Sequence, residues 1–112
     1  MISRVWHGWT APANADAYEA LLRSTILPGI MRRDIAGYVG VHLARRNDGD
    51  EVEFVTTMWF ESMAAIREFA GEAYDVAVVP PAARALLSRF DERSRHYDIV
   101  FTDGDVCPAV TR

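Results

Sequence analysis

The ten residues from Glu51 to Phe60 constrain the fold more than any other part of the chain. They are rich in β-branched and aromatic types, hold no Gly or Pro, and follow the turn-forming string Asn47-Asp48-Gly49-Asp50. That pattern predicts a β-strand entered from a hairpin loop. On a strand, Phe54, Thr56, Met58 and Phe60 share one face, and Val55, Thr57 and Trp59 share the other. An antiparallel strand normally alternates apolar-in with polar-out, leaving one face to water. Here both faces are apolar. The helices of a domain this small cover one of them, and a second copy of the same chain is the simplest cover for the other. The expectation is a homodimer packed sheet to sheet.

The flanking sequence supplies the other elements. Residues 2–9 form strand one, closed off by Thr10-Ala11-Pro12. Asn14 reads as a helix N-cap, with Asp16 in the first turn and Tyr18, Leu21, Leu22, Thr25 and Ile26 as one apolar stripe. Leu27-Pro28-Gly29 weakens or ends that helix. Gly37 opens strand two, where Val39, Val41 and Leu43 alternate with Tyr38, Gly40 and His42. Ser62 caps a short helix with Met63, Ile66, Phe69 and Ala70 on one face, and Gly71 stops it. Residues 72–79 read as loop. Pro80-Pro81 begins a further helix with Ala83, Leu86, Leu87 and Phe90 as its stripe, and Glu92 to Phe101 forms strand four. The order β-α-β-β-α-α-β fits one ferredoxin-like α+β domain over residues 1–101, with a polar tail over 102–112. Strands one and three are central in that arrangement, strand two is an edge, and strand four flanks strand one.

Composition narrows the chemistry. All twelve basic residues are Arg, so lysine Schiff-base chemistry is excluded. A net charge of −4 without a basic stripe argues against nucleic acid and anionic membranes as partners. No apolar run approaches the roughly 18 residues of a membrane span, and no leader-like segment is visible. A cytoplasmic protein is the expectation. The lone Cys107 has no internal partner and reads as a free, inert thiol.

No phosphate loop, paired-cysteine motif or nucleophile elbow is present. The three histidines all fall on predicted strands. His42 lies on an edge, which argues against a three-His metal site. His7 and His96, on neighbouring strands one and four, are placed to meet beside Asp98 or Glu19. They read either as hydrogen-bonded strand residues or as part of a two-His, one-carboxylate metal site. Trp6, Trp9, Trp59, Phe69, Tyr74 and Tyr97 fall on elements bordering the sheet–helix interface. With Arg93 or Arg95 they either line a small-molecule pocket or fill the core of a small domain.

Several of these segments together resemble the antibiotic biosynthesis monooxygenase family over residues 2–100. They are Ile2-Ser3-Arg4-Val5-Trp6-His7-Gly8, Glu53-Phe54, Met58-Trp59-Phe60-Glu61-Ser62, Ala65-Ile66-Arg67-Glu68-Phe69-Ala70-Gly71 and His96-Tyr97. The resemblance implies a dimeric α+β barrel of two ferredoxin-like sheets packed face to face. Some members of the family oxidise polycyclic aromatic substrates with O2 and no metal, flavin or haem, whereas other relatives bind and degrade haem. The resemblance therefore implies a monooxygenase without a cofactor, with a non-catalytic ligand-binding or stress-response protein and a haem-binding relative as alternatives. Trp59 matches a pocket Trp of the oxygenase members. Those members carry Asn four residues earlier, where this chain has Val55. Haem-degrading relatives use an Asn on the first strand, and this chain has only Asn14 and Asn47. The expected base is His7 or His96 near Trp59, because an imidazole with a pKa near ~6.5 suits proton abstraction at neutral pH. Trp6, Trp9, Phe69, Tyr74, Tyr97 and Arg93 are the expected ligand contacts.

Overall fold

A computed structural model describes residues 1–104; the chain from Asp105 on, with Cys107, lies outside the described residues. Strand β1 (Ile2–Thr10) is central in an antiparallel sheet of order β2-β3-β1-β4, with β5 also paired to β1. It pairs along its whole length with β3 (Glu51–Phe60), from Ile2 opposite Phe60 to Thr10 opposite Val52. The partner of β3 on its other side is β2 (Tyr38–Asp48), joined through Gly49-Asp50. Gly49 has φ +63°, the conformation a two-residue hairpin of the II′ kind places on glycine. The predicted order of the first three strands and the α+β class agree with this arrangement.

The first helix departs from expectation at both ends. Pro12, not Asn14, sets its start: Ala11 is the extended cap, and proline's missing N–H matters little in the first turn. Asn14 lies inside α1 (Pro12–Leu21), and Asp16 falls beyond its first turn, 3.0 Å from Arg45. Pro28 does not stop the helix. The segment Leu22–Ile26 widens into a π-helical turn in which the Leu27 N–H reaches the Leu22 carbonyl. Pro28 then occupies the first turn of α2 (Leu27–Met31), where its lack of an N–H is tolerated.

Helix α3 (Met63–Ala70) follows expectation: Ser62 Oγ accepts from the Ala65 N–H at 3.2 Å, and Gly71 ends it with φ +87°. In β2, a register shift between Tyr38 and Gly40 places Tyr38 on the face of Val41 and Leu43. Simple alternation assigned it to the opposite face. The Tyr38 ring lies edge-on to Phe60, centroids 5.7 Å apart.

The last third of the chain differs most from the sequence reading. Helix α4 (Pro81–Arg84) is a single turn, and Leu87–Phe90 forms strand β4 on Gly8–Thr10 instead of continuing the helix. A short apolar run fits helix and strand periods equally, and the unpaired edge of β1 decides for strand. The predicted strand over Glu92–Phe101 reduces to β5 (Arg95–Asp98), paired with Ile2–Val5. Between β4 and β5 the edge is broken. The Asp91 N–H donates to the His7 carbonyl at 2.9 Å, the Ser94 N–H donates to the Asp75 carbonyl at 2.7 Å, and Val76 bridges Arg93. The irregular segment 71–80 is thereby stitched to the break.

The helices pack on the sheet face that carries Phe54, Met58 and Phe60. One cluster joins Tyr18 and Leu22 to Val52, Phe54 and Ala83, and a second joins Met58 and Phe60 to Ala65 and Ile66. Tyr18 meets Phe54 edge-on at 4.7 Å. Burying each such aromatic stabilises the fold by about 2–3 kcal/mol. Among the described residues, no helix is long and apolar enough to cross a membrane.

Candidate functional site

Between the two core clusters lies a cavity of about 270 Å³. The sheet supplies Arg4, Trp6, Thr56 and Met58; the long helix supplies Tyr18, Leu22, Ile26, Leu27 and Ile30. Phe69 from α3, Val78 to Pro80 from the stitched segment, Ala83 and Ser94 close it, with Arg33 among its lining residues. The π-helical turn contributes Leu22 and Ile26. The irregularity that admits Pro28 therefore also shapes the wall.

Arg4 is the central polar group. It is only 5% exposed, on the helix-facing side of β1. Its guanidinium donates to the Tyr74 carbonyl, to the Val76 carbonyl at 3.5 Å and to His96 Nε2 at 2.9 Å. These acceptors are neutral. Among the described residues no carboxylate lies within 4.0 Å of it, and the acid that bears on it electrostatically, Asp75, is paired with Arg93 at 2.8 Å. Burial pushes the Arg4 pKa down, opposed by Asp75. Burial first, and then the Arg4 charge, lower the His96 pKa, opposed by Asp75; because a guanidinium only donates, His96 accepts at Nε2 and carries its proton on Nδ1. Burial raises the Tyr18 phenol to about 12, which keeps it protonated in the cavity wall.

Phe69 is flanked by two cations, with Arg4 and Arg33 at 5.3 and 5.4 Å from its ring centroid. Arg33 also donates to the Phe69 and Glu68 carbonyls, both at 3.2 Å, near the end of α3. The Trp6 indole N–H is taken by the Asp91 carbonyl at 2.6 Å, which fixes that ring in the wall.

The predicted site residues separate into two groups. Trp6 and Phe69 line the cavity, and His96 and Tyr74 stand behind Arg4, their rings in edge contact at 5.5 Å. His7, Trp9, Trp59 and Tyr97 lie on the other face of the sheet. His7 and His96 therefore do not meet, which corrects the sequence expectation. His96 stands opposite Arg4 in the register, three residues from His7, and an odd offset on a strand reverses the face. His7 Nδ1 instead donates to Glu53 Oε2 at 2.6 Å, which with Arg46 holds the Glu53 carboxyl below its usual range. Trp59 packs edge-on against His42 at 4.6 Å. Neither Asp98 nor Glu19 joins a histidine; Glu19 pairs with Arg45 and Arg23. Arg93 points to Asp75 at the surface, not into the cavity.

Sequence reasoning missed Arg4, Arg33, Tyr18 and Ser94. Arg4 carried a readable signal, since it shares strand parity with Trp6 and Gly8 on the buried face. A charge at such a position is uncommon. The others depend on how the helix and the 71–80 segment close over the sheet.

His96 Nε2 accepts from Arg4 behind the cavity wall, and His7 projects from the opposite face of the sheet. Among the described residues, no three His, Cys, Asp or Glu side chains converge as a metal-binding group.

Neither a family model nor a curated protein matches the sequence. Solved structures do match the fold. A protein of Chloroflexus aurantiacus J-10-fl assigned as an antibiotic biosynthesis monooxygenase superimposes with a TM-score of 0.55 at 14% identity, covering 92% of this chain and 96% of that one. Rv0793 from Mycobacterium tuberculosis gives 0.50 at 21% identity, covering 93% and 97%. A monooxygenase from the gene ActVA-Orf6 of Streptomyces coelicolor, solved with nanaomycin D, gives 0.56 at 16% identity, covering 94% and 90%. The chain has the ferredoxin-like α+β fold of these solved structures, the fold that the family resemblance of its sequence implies.

Proposed function

We propose that this protein is a cofactor-independent monooxygenase that acts on a hydrophobic, aromatic small molecule in the helix–sheet cavity. The observation that carries the reading is the His96 imidazole that accepts from buried Arg4, behind the wall of a largely apolar cavity. A substrate with an acidic CH2 group loses a proton to His96, and its carbanion reduces O2. Overall CH2 and O2 become C=O and H2O, so the substrate itself supplies the electrons. The apolar walls exclude water, and Arg4 and Arg33 favour developing negative charge. A Streptomyces monooxygenase of the same fold was solved with nanaomycin D, and the largely apolar lining of this chain's cavity suits an aromatic ligand.

The test is oxygen uptake with a hydroxyanthrone and no added metal or flavin. One O2 consumed per substrate, with kcat reduced about 100-fold or more in His96→Ala, supports the proposal. Binding of the anthrone without oxygen uptake overturns it. That second outcome fits a non-catalytic ligand-binding protein, a reading favoured by the engagement of His96 Nε2 with Arg4.

The reading includes a homodimer through the opposite sheet face. Val55, Thr57 and Trp59 share that face with His7, Trp9 and His42, and the helices pack on the other side.

A further inference from the structure

We infer that the cavity is an oxyanion receptor, selecting apolar ligands that carry one delocalised negative oxygen group, such as a carboxylate or enolate, against Arg4. This rests on the proposal that the cavity binds a small molecule, and it adds the ligand's chemical class.

The charges around the cavity are unbalanced. Arg4 is buried, lines the cavity, and among the described residues has carbonyls and an imidazole as its hydrogen-bond partners. A buried cation without a counter-charge is costly unless something negative completes its surroundings. The nearby Asp75 is already paired with Arg93. The second charged lining group, Arg33, is also a cation bound to carbonyls, and among the described residues no Asp or Glu lines the cavity. The remaining walls are apolar apart from hydroxyls such as those of Tyr18 and Ser94. An apolar chamber with two cations and no acid complements a ligand with an apolar body and an anionic end. A planar oxyanion also matches the guanidinium fork better than it matches an ammonium. Bound there, the ligand oxygen replaces His96 as an acceptor for Arg4, leaving Nε2 free to take a proton.

The test is calorimetric titration of the intact protein with 2-naphthoate and with naphthalene-2-carboxamide, which differ mainly in charge. The wild-type protein is expected to bind the carboxylate at least about tenfold more tightly. That preference is expected to shrink in Arg4→Lys and vanish in Arg4→Met. Because Arg4 also pins the Tyr74 and Val76 carbonyls, the wild-type comparison decides the matter even if Arg4→Met folds poorly. Equal affinity for the two ligands overturns the oxyanion inference and leaves the cavity as a general apolar site. Binding of neither ligand overturns both the inference and the reading of the cavity as a small-molecule site. A carboxylate preference without oxygen uptake from the anthrone supports the inference and counts only against the oxygenase chemistry.

Discussion

Arg4 and His96 stand directly opposite each other on β1 and β5, and the Arg4 guanidinium donates to His96 Nε2 at 2.9 Å. This hydrogen bond requires an unprotonated Nε2, and the same burial that encloses Arg4 disfavours a second positive charge beside it. The pair couples the edge strand, the 71–80 segment and the cavity.

A pH dependence of stability follows from that pair. The folded His96 pKa lies below its ordinary 6.5, so below that value the unfolded chain takes up a proton that the folded chain resists. Stability falls as pH drops through 6.5 toward the folded pKa and is unaffected by this group at higher pH. The depressed carboxyls of Glu19, Glu51 and Glu53 act in a lower window, keeping their contribution above 4.5 and losing it in acid. The urea midpoint is expected to decrease between about pH 7.5 and about pH 5.5, with a shallower decrease in His96→Gln. An unchanged slope in that variant refutes the assignment.

Gly37 is predicted to resist substitution. It has φ +87°, and an added Cβ would lie 2.8 Å from the Ala65 side chain. Gly37→Ala combines a left-handed backbone with a clash between β2 and α3, at an expected cost of about 1–3 kcal/mol. Denaturant unfolding of the variant measures it.

Thr10 offers the opposite case. Its side chain is fully buried, and Oγ1 has no hydrogen-bond partner among the described residues. Thr10→Val keeps the shape and removes the orphaned hydroxyl, so it is expected to stabilise by about 1 kcal/mol. A clear loss in the urea midpoint would show that the hydroxyl has a partner.

Phe60 closes the second core cluster, fully buried against Tyr38 and Phe69 at centroid distances of 5.7 and 5.6 Å. Phe60→Ala is expected to cost about 3–5 kcal/mol and to loosen Phe69 at the cavity. Weakened 2-naphthoate binding alongside the lower urea midpoint checks the connection.

The proposed dimer is tested on the face away from the helices. Val55→Arg places a charge there, opposite His7 and Ala44, and leaves the helix-facing core intact. Light scattering is expected to show a dimer for the wild-type chain and a monomer with unchanged circular dichroism for the variant. A wild-type monomer at micromolar concentration counts against the dimer.

Local sequence determined the elements whose periodicity and punctuation agree. Strand β3 carries apolar residues on both faces, Gly49 sits where the hairpin needs a positive φ, and Ser62 and Gly71 bracket α3. The family resemblance had the same basis, because its residues lie mostly on those well-marked elements. Tertiary structure decided the rest. The run Leu87 to Phe90 fitted two periods, and only the open edge of β1 made it a strand. Leu27-Pro28-Gly29 reads as weakening or ending the helix, but a π-helical turn lets the helix continue over the sheet and form a cavity wall. His7 and His96 were legible as strand histidines, but their faces depended on a register that local sequence does not encode. Composition showed that every basic residue is Arg, yet not which one would be enclosed without an acidic partner. Burial is a property of the assembled layers, and the closing of helix and loop over β1 turned Arg4 from a strand residue into the centre of the site.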